Sequence, residues 1–202
     1  MNRDSYSIRQ RQSHALGSRL GFYDVSGLEY WQRENFNGGR NFDRISRDFA
    51  WSNEAQAWFP KGSDDRLFVQ SIYQNCFDRD PDAGGWNYWT AQLKALGTTD
   101  LNARGSFVGR LILGAYAATS GPEDRGLLSN KHDVAMHYVN RLSVDTTHAF
   151  EPSINQLLDL VGLSSATATK AVRVIDHVFE HSGVSLTGVM NDAGLLAQLW
   201  AS

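Results

Sequence analysis

Apolar and polar positions alternate along the chain with the period of a helix, not of a strand. The clearest case is Trp86, Trp89, Leu93 and Leu96, whose intervals of three, four and three residues place them on one helix face. Similar stripes occur before and after this one, and no hairpin dipeptide separates two alternating runs. The sequence therefore predicts an all-α fold.

Start and stop signals divide this pattern into helices. Pro81 disfavours helical angles at the preceding residue, and the Asp82 carboxylate can cap a helix that begins near Ala83 and ends at Gly97. The same signals predict further helices: from Phe42 through Trp51 and Trp58 toward Pro60, from about Asp65 behind a Ser63 cap, after Asp100, after a Ser129 cap, and at Ile154–Val161, Ala168–His181 and Leu186–Trp200.

An internal repeat organises the first two thirds of the chain. Asp, Gly, Tyr and Trp recur at the same spacing with an offset of 58 residues, which predicts two tandem helical modules that pack on each other. We expect a tail or frayed helix at 1–20, a partial module at 21–62, a complete module at 63–145 and a C-terminal helical extension at 146–202. The motif comprises Asp24, Gly27, Tyr30 and Trp31 in the first copy, and Arg79, Pro81, Gly85, Tyr88 and Trp89 in the second.

Composition narrows the classes of function. A net charge of -3 and a pI near 6.0 give no concentrated basic surface, so nucleic acid is not expected as a partner. The single cysteine, Cys76, permits neither an intrachain disulfide nor a thiolate zinc cluster, and we expect it to be buried. The start of the chain lacks an apolar signal segment, and no apolar run approaches ~20 residues, so neither a Sec-type signal nor a transmembrane segment is expected.

The loop before the central helix is acidic. Asp78, Asp80 and Asp82 alternate as in loops that bind a hard cation through oxygen ligands. An EF-hand counted from Asp78 would need glycine and glutamate where Ala83 and Trp89 stand, so that motif is excluded. Two interpretations remain open: a looser calcium site formed by the three aspartates, or a helix cap with ion pairs and solvated carboxylates.

Two other patterns suggest chemistry. His177-Val178-Phe179-Glu180-His181 has the H-x-x-E-H form of some zinc peptidases, although a catalytic zinc also needs a third protein ligand. Trp51 and Trp58 lie outside the clear helical stripes, and their flat rings are candidates for stacking on a sugar.

The second module resembles a bacterial family, the domain of unknown function 4214. The resemblance rests on Phe68-Val69-x-x-Ile72-Tyr73 followed by Asp78-Arg79-Asp80-Pro81-Asp82-x-x-Gly85-x-x-Tyr88-Trp89, where the family's central Gly-Arg is Asp78-Arg79. Two downstream segments, 128–138 and 157–175, also look similar. A weaker likeness connects the chain to the helical, lipopolysaccharide-holding anchor of a calcium-dependent surface-layer protein, and a similar Arg-Pro loop occurs in phycobilisome linkers.

These resemblances imply a noncatalytic module of a secreted or surface protein, exported without an N-terminal Sec signal. Its expected role is structural or adhesive, with a protein partner or a surface polysaccharide such as lipopolysaccharide, and with calcium as a candidate ion. The alternative is a linker or scaffold subunit of a larger, cytoplasmic assembly. A zinc hydrolase that uses His177, Glu180 and His181 is the third hypothesis. The sequence does not predict an oligomeric state.

Overall fold

The computed structural model describes residues 42–51, 55–56, 64–97, 100–117, 121–145 and 147–201. These residues form helices and connecting loops without a strand, so the predicted all-α class is confirmed. The helices are α1 (Phe42–Ala50), α2 (Asp65–Phe77), α3 (Ala83–Leu96), α4 (Leu101–Tyr116), α5 (Pro122–Val144), α6 (Ile154–Asp159), α7 (Ser165–Glu180), α8 (Leu186–Asn191) and α9 (Ala193–Ala201).

The buried apolar side chains of the described residues form two clusters. The first core joins α2, α3, α4 and the first half of α5, and the buried Cys76 belongs to it. The second core joins the other half of α5 to α6, α7 and α8, with α9 packed against it. Helix α5 is therefore shared: Leu127 and Leu128 enter the first core, whereas Val134 and Tyr138 enter the second.

Helix α1 packs along α4 at very short range. A Cβ atom on Gly105 would lie 2.5 Å from the Cα atom of Arg47 and 2.5 Å from the Ser46 carbonyl oxygen. No side chain fits in that space, so the absence of a Cβ at Gly105 allows the two helix backbones to approach each other. This contact places α1 against the first core.

Several helix starts follow the predicted caps. Asp82 accepts a hydrogen bond from the Gly85 amide at the start of α3, and Asp100 accepts one from the Asn102 amide at the start of α4. Helix α3 ends at Gly97, which adopts a φ of 105°. The sequence predicts these helix ends correctly because each capping residue is adjacent in the chain to the helix end that it stabilises.

Several predicted boundaries are wrong, including the start of α7, which lies at Ser165 and not at Ala168. Helix α5 begins at Pro122 and not behind Ser129, because proline suits the first helical position and Glu123 and Asp124 interact favourably with the positive helix end. Asp64, whose carboxylate accepts two amide protons, caps α2 in place of Ser63. In addition, α1 ends at Ala50, before Trp51. The predicted Leu186–Trp200 helix is divided at Asp192, which caps α9.

The first copy of the repeat, with Asp24, Gly27, Tyr30 and Trp31, lies outside the described residues, as do Trp58 and Ser63. The two-module organisation consequently stays a prediction.

Candidate functional site

The acidic loop joins α2 to α3 and begins with a residue in the left-handed conformation. Asp78 has a φ of 53°, the only positive φ of a non-glycine residue in the described part of the chain. Its amide donates to the Gln74 carbonyl oxygen and so ends α2. Glycine adopts this conformation without strain, and aspartate is among the few residues that tolerate it. Asp78 thus ends α2 in the backbone conformation that glycine adopts most readily.

Asp78 also connects the loop to α5. Its Oδ2 atom lies 2.5 Å from the Nζ atom of Lys131, whose side chain is fully buried, whereas the Asp78 side chain is 37% exposed. The two residues are 53 positions apart in sequence. A buried ammonium group requires a charged partner, so this pair fixes the loop against the helix that both cores share.

Arg79 makes a second connection to α5. Its Nε and Nη2 atoms donate to the two carboxylate oxygens of Asp124, at 3.1 and 2.8 Å. The guanidinium group also lies 5.2 Å from the ring centre of Tyr73. The hydrogen bonds to Asp124 raise the pKa of Arg79 above its ordinary value. Bidentate geometry of this kind fixes the orientation of both side chains.

The other loop carboxylates act within the module. Oδ1 of Asp80 accepts hydrogen bonds from the side-chain amides of Gln70 and Gln74, both at 2.9 Å. Oδ1 of Asp82 accepts from the Gly85 amide at 2.6 Å. A Cβ on Gly85 would lie 3.1 Å from the Tyr73 hydroxyl. The motif residues therefore serve the local packing of α2 against α3.

Each of the three predicted calcium ligands has a protein partner in this arrangement. Asp78 contacts an ammonium group, Asp80 two amides, and Asp82 a helix amide. No group of three or more histidine, cysteine or carboxylate side chains suitable for a metal occurs among the described residues. Calcium binding at Asp78, Asp80 and Asp82 stays a prediction.

An open groove lies beside the loop, between α3, α4 and the start of α5. Its volume is about 390 Å³, within the range of small-molecule sites. Its lining consists of four aromatic side chains (Tyr73, Phe77, Tyr88 and Trp89), three polar ones (Gln92, Arg110 and Asp124), and the small or apolar residues Leu111, Gly114, Ala115 and Ala117.

The aromatic wall of the groove is held in place by packing. Trp89 packs edge-on against Phe107 of the first core, with 5.4 Å between the ring centres. Burial raises the pKa of Tyr73, which therefore stays protonated at neutral pH. Tyr88 meets Trp89 edge to face with 4.9 Å between ring centres, yet its side chain is 56% exposed. A rigid wall thus carries one exposed ring.

Polar side chains surround this wall. Gln92 comes from α3, Arg110 from α4 and Asp124 from α5. Nη1 of Arg110 lies 3.5 Å from Oε1 of Gln92, at the outer limit of a hydrogen bond. Asp124 is paired with Arg79. The groove therefore combines an apolar wall with hydrogen-bonding groups contributed by three helices.

The sequence predicted only part of this site. Tyr88 and Trp89 were predicted as motif residues, whereas Gln92, Arg110 and Asp124 were not singled out. Trp51, the predicted stacking residue that the structure describes, is exposed and donates from Nε1 to the Asn102 side chain, but it does not line the groove. One signal was present for Tyr88, because it lies off the buried stripe of α3 and an aromatic side chain there must face solvent.

The H-x-x-E-H segment ends α7. Glu180 is the last residue of this helix and His181 is its C-cap, and Nδ1 of His181 is 2.8 Å from the His177 carbonyl oxygen. The two imidazole rings lie 4.2 Å apart. The described residues bring no third metal ligand to these side chains. The zinc hypothesis therefore rests on the sequence pattern alone.

A second cleft lies in the other half of the molecule. It has a volume of about 620 Å³ and lies between residues 147–151 and the end of α7 with the loop after it. Phe179 contributes the one phenyl ring among its lining residues, and the centre of this ring lies 4.7 Å from that of the His148 imidazole. Its Glu151 carboxylate accepts hydrogen bonds from the amides of Leu186 and Thr187, so this group supports the start of α8.

The described part of the chain contains no helix long and apolar enough to cross a membrane. Searches of curated proteins and of solved structures find no match to the chain. A family model, in contrast, matches residues 46–100, a segment that contains the acidic loop and the aromatic wall of the groove. This match confirms the resemblance seen in the sequence: residues 46–100 are similar to the domain of unknown function of the DUF4214 family.

Proposed function

We propose that this protein is a noncatalytic helical module of a secreted or cell-surface protein and that its groove binds a surface glycan. The observation that carries the proposal is the rigid aromatic wall of the groove with its exposed Tyr88 ring. The location rests on the family resemblance, and five of the groove's lining residues fall within the matched segment 46–100.

The chemistry of the wall suits a sugar. A pyranose ring has flat faces of C–H groups that stack on aromatic rings, and hydroxyl groups at its edge that need hydrogen-bond partners. Tyr88 offers an exposed ring, while Gln92 and Arg110 offer donors and an acceptor next to it. A groove that is mainly apolar with a few polar groups is the usual form of a small-ligand site.

A glycan array probed with the purified chain tests the proposal. We expect binding to at least one glycan class, and we expect Tyr88→Ala to reduce that binding by about tenfold or more, because stacking on an aromatic ring is lost. Trp51→Ala is the matched control, since Trp51 is also 56% exposed but lies outside the groove. Binding that survives Tyr88→Ala unchanged, or no binding to any glycan, would overturn the proposal.

A scaffold role is the second candidate function. It is favoured by two exposed leucine side chains in the second half of the molecule. Leu160 and Leu163, which are 42% and 55% exposed, lie in the loop between α6 and α7. The Asn130 side chain donates to the carbonyl oxygens of residues 162 and 163 and so orders that loop. A protein partner would cover the two leucines. Loss of a stoichiometric, co-purifying partner in a Leu160→Ser, Leu163→Ser variant would support this role, and an unchanged complex would oppose it.

A further inference from the structure

We infer that the groove selects saccharides that carry a carboxylate, and that Arg110 is the residue that selects them. The inference rests on the proposed function, because it names the class of sugar that the same groove binds. It is carried by the distribution of charge around the aromatic wall.

Arg110 is exposed and has no ion-pair partner among the described residues. Its one hydrogen bond there is the long contact of 3.5 Å to Gln92. Two other arginines of this half are paired, because Arg79 of the acidic loop contacts Asp124 and Arg104 of α4 contacts Asp65. The groove therefore contains one guanidinium group whose charge is not neutralised by a contacting carboxylate.

Asp124 also lines the groove, and its charge must be counted. Both of its oxygens accept hydrogen bonds from Arg79, so this carboxylate is neutralised by the residue next to it. The remaining lining side chains are neutral at pH 7. The lining side chains, together with the Arg79 partner of Asp124, carry one net positive charge, and that charge is on Arg110.

The position of Arg110 fits recognition of a uronic acid. In such a sugar the carboxylate projects from the edge of the pyranose ring, in the place of a neutral hydroxymethyl group. Gln92 and Arg110 line the same groove as Tyr88, so we place the edge of a sugar ring stacked on Tyr88 beside these two side chains. The planar guanidinium can then donate two parallel hydrogen bonds to the carboxylate, while Gln92 binds a hydroxyl group.

Matched polymers test the inference. The probes are polygalacturonate, alginate and hyaluronate, each with its carboxyl-reduced form, in which a neutral hydroxymethyl group replaces the carboxylate. We expect the full chain to bind at least one native polymer about tenfold more tightly than its reduced form, because a charge-assisted hydrogen bond is lost on reduction. Added salt should weaken the binding of the native polymer more than that of the reduced one.

Variants assign this preference to one residue. Arg110→Gln should bind the native and the reduced polymer with equal affinity, and Arg110→Lys should keep part of the preference. Arg66→Gln is the control for net charge, because Arg66 is exposed on α2 and does not line the groove. Its preference should equal that of the unaltered chain.

The outcomes separate the two proposals. Equal binding of native and reduced polymers, binding restricted to neutral glycans, or a preference that survives Arg110→Gln would overturn the role of Arg110 and leave the glycan groove intact. Absence of binding to every polymer and to the glycan array would overturn both.

Discussion

The two halves of the molecule are attached to α5 by different kinds of interaction. The first half uses charged side chains: Asp78 contacts Lys131, and Arg79 contacts Asp124. The second half combines hydrogen bonds to backbone groups with a partly exposed contact, in which the Asp176 carboxylate of α7 lies 2.7 Å from the His137 imidazole and 3.7 Å from the Arg141 guanidinium of α5. Asn130 donates to two loop carbonyl oxygens, and the Tyr138 hydroxyl accepts the Glu151 amide proton.

This difference coincides with the location of the groove. The charged connections of the first half lie in the loop that leads directly into α3, which carries Tyr88 and Trp89. They fix α3 relative to α5 and thereby set the position of the aromatic wall. The second half has a larger cleft, but there Glu151 supports α8. The groove that we propose as the binding surface therefore lies in the first half.

The largest expected effect concerns the buried ammonium group. Asp78→Asn keeps a residue that tolerates a positive φ but leaves Lys131 without its carboxylate. We expect the free energy of unfolding to fall by roughly 2–4 kcal/mol, at or below the usual cost of breaking a buried pair because Asp78 is partly exposed. Urea unfolding followed by circular dichroism measures this change.

The double variant Asp78→Asn, Lys131→Met supplies the control. It removes the buried charge together with its partner, so most of the lost stability should return. A double variant as unstable as Asp78→Asn alone would show that the charge pair is not what attaches the first half to α5.

The next effect concerns the contact between α1 and α4. Gly105→Ala places a Cβ atom 2.5 Å from the backbone of α1, so we expect a loss of about 1–3 kcal/mol as the helices separate. Gly126→Ala on α5 is the matched control, because nothing lies within 4 Å of its Cβ and alanine favours the helix by about 1 kcal/mol. Equal effects of the two substitutions in urea unfolding would contradict the close packing of α1.

The smallest effect concerns the second half. Tyr138→Phe leaves the Glu151 amide without its acceptor, and we expect a loss of about 1–2 kcal/mol at pH 7. Burial raises the pKa of Tyr138 to about 12, whereas an unfolded tyrosine ionises near pH 10. The associated stability is therefore present below pH 10 and is lost as the pH rises toward 12.

Unfolding at pH 9 and pH 11 checks this sign. The unaltered chain should lose more stability between the two values than the Tyr138→Phe variant does. Identical losses would mean that the buried hydroxyl contributes nothing to the alkaline response of the second half.

Features that depend on neighbouring residues were predictable from the sequence, and those that depend on distant residues were not. The caps at Asp82 and Asp100 and the stop at Gly97 are local, and the structure has them where the pattern placed them. The start of α5 was misplaced because Gly121 and Pro122 resemble a loop as much as a helix start. Nothing near Asp78 indicates Lys131, 53 residues later. The polar rim of the groove was missed for the same reason, since three helices contribute it.

Amide hydrogen exchange, measured with and without a saturating glycan from the array, tests most directly whether binding belongs to the first half. If the glycan binds in the groove, we expect the amide hydrogens of residues 85–93 of α3 and 107–116 of α4 to exchange more slowly, and those of residues 165–201 to exchange at an unchanged rate. Protection confined to α7, α8 and α9, or an equal change in both halves, would contradict binding in the groove.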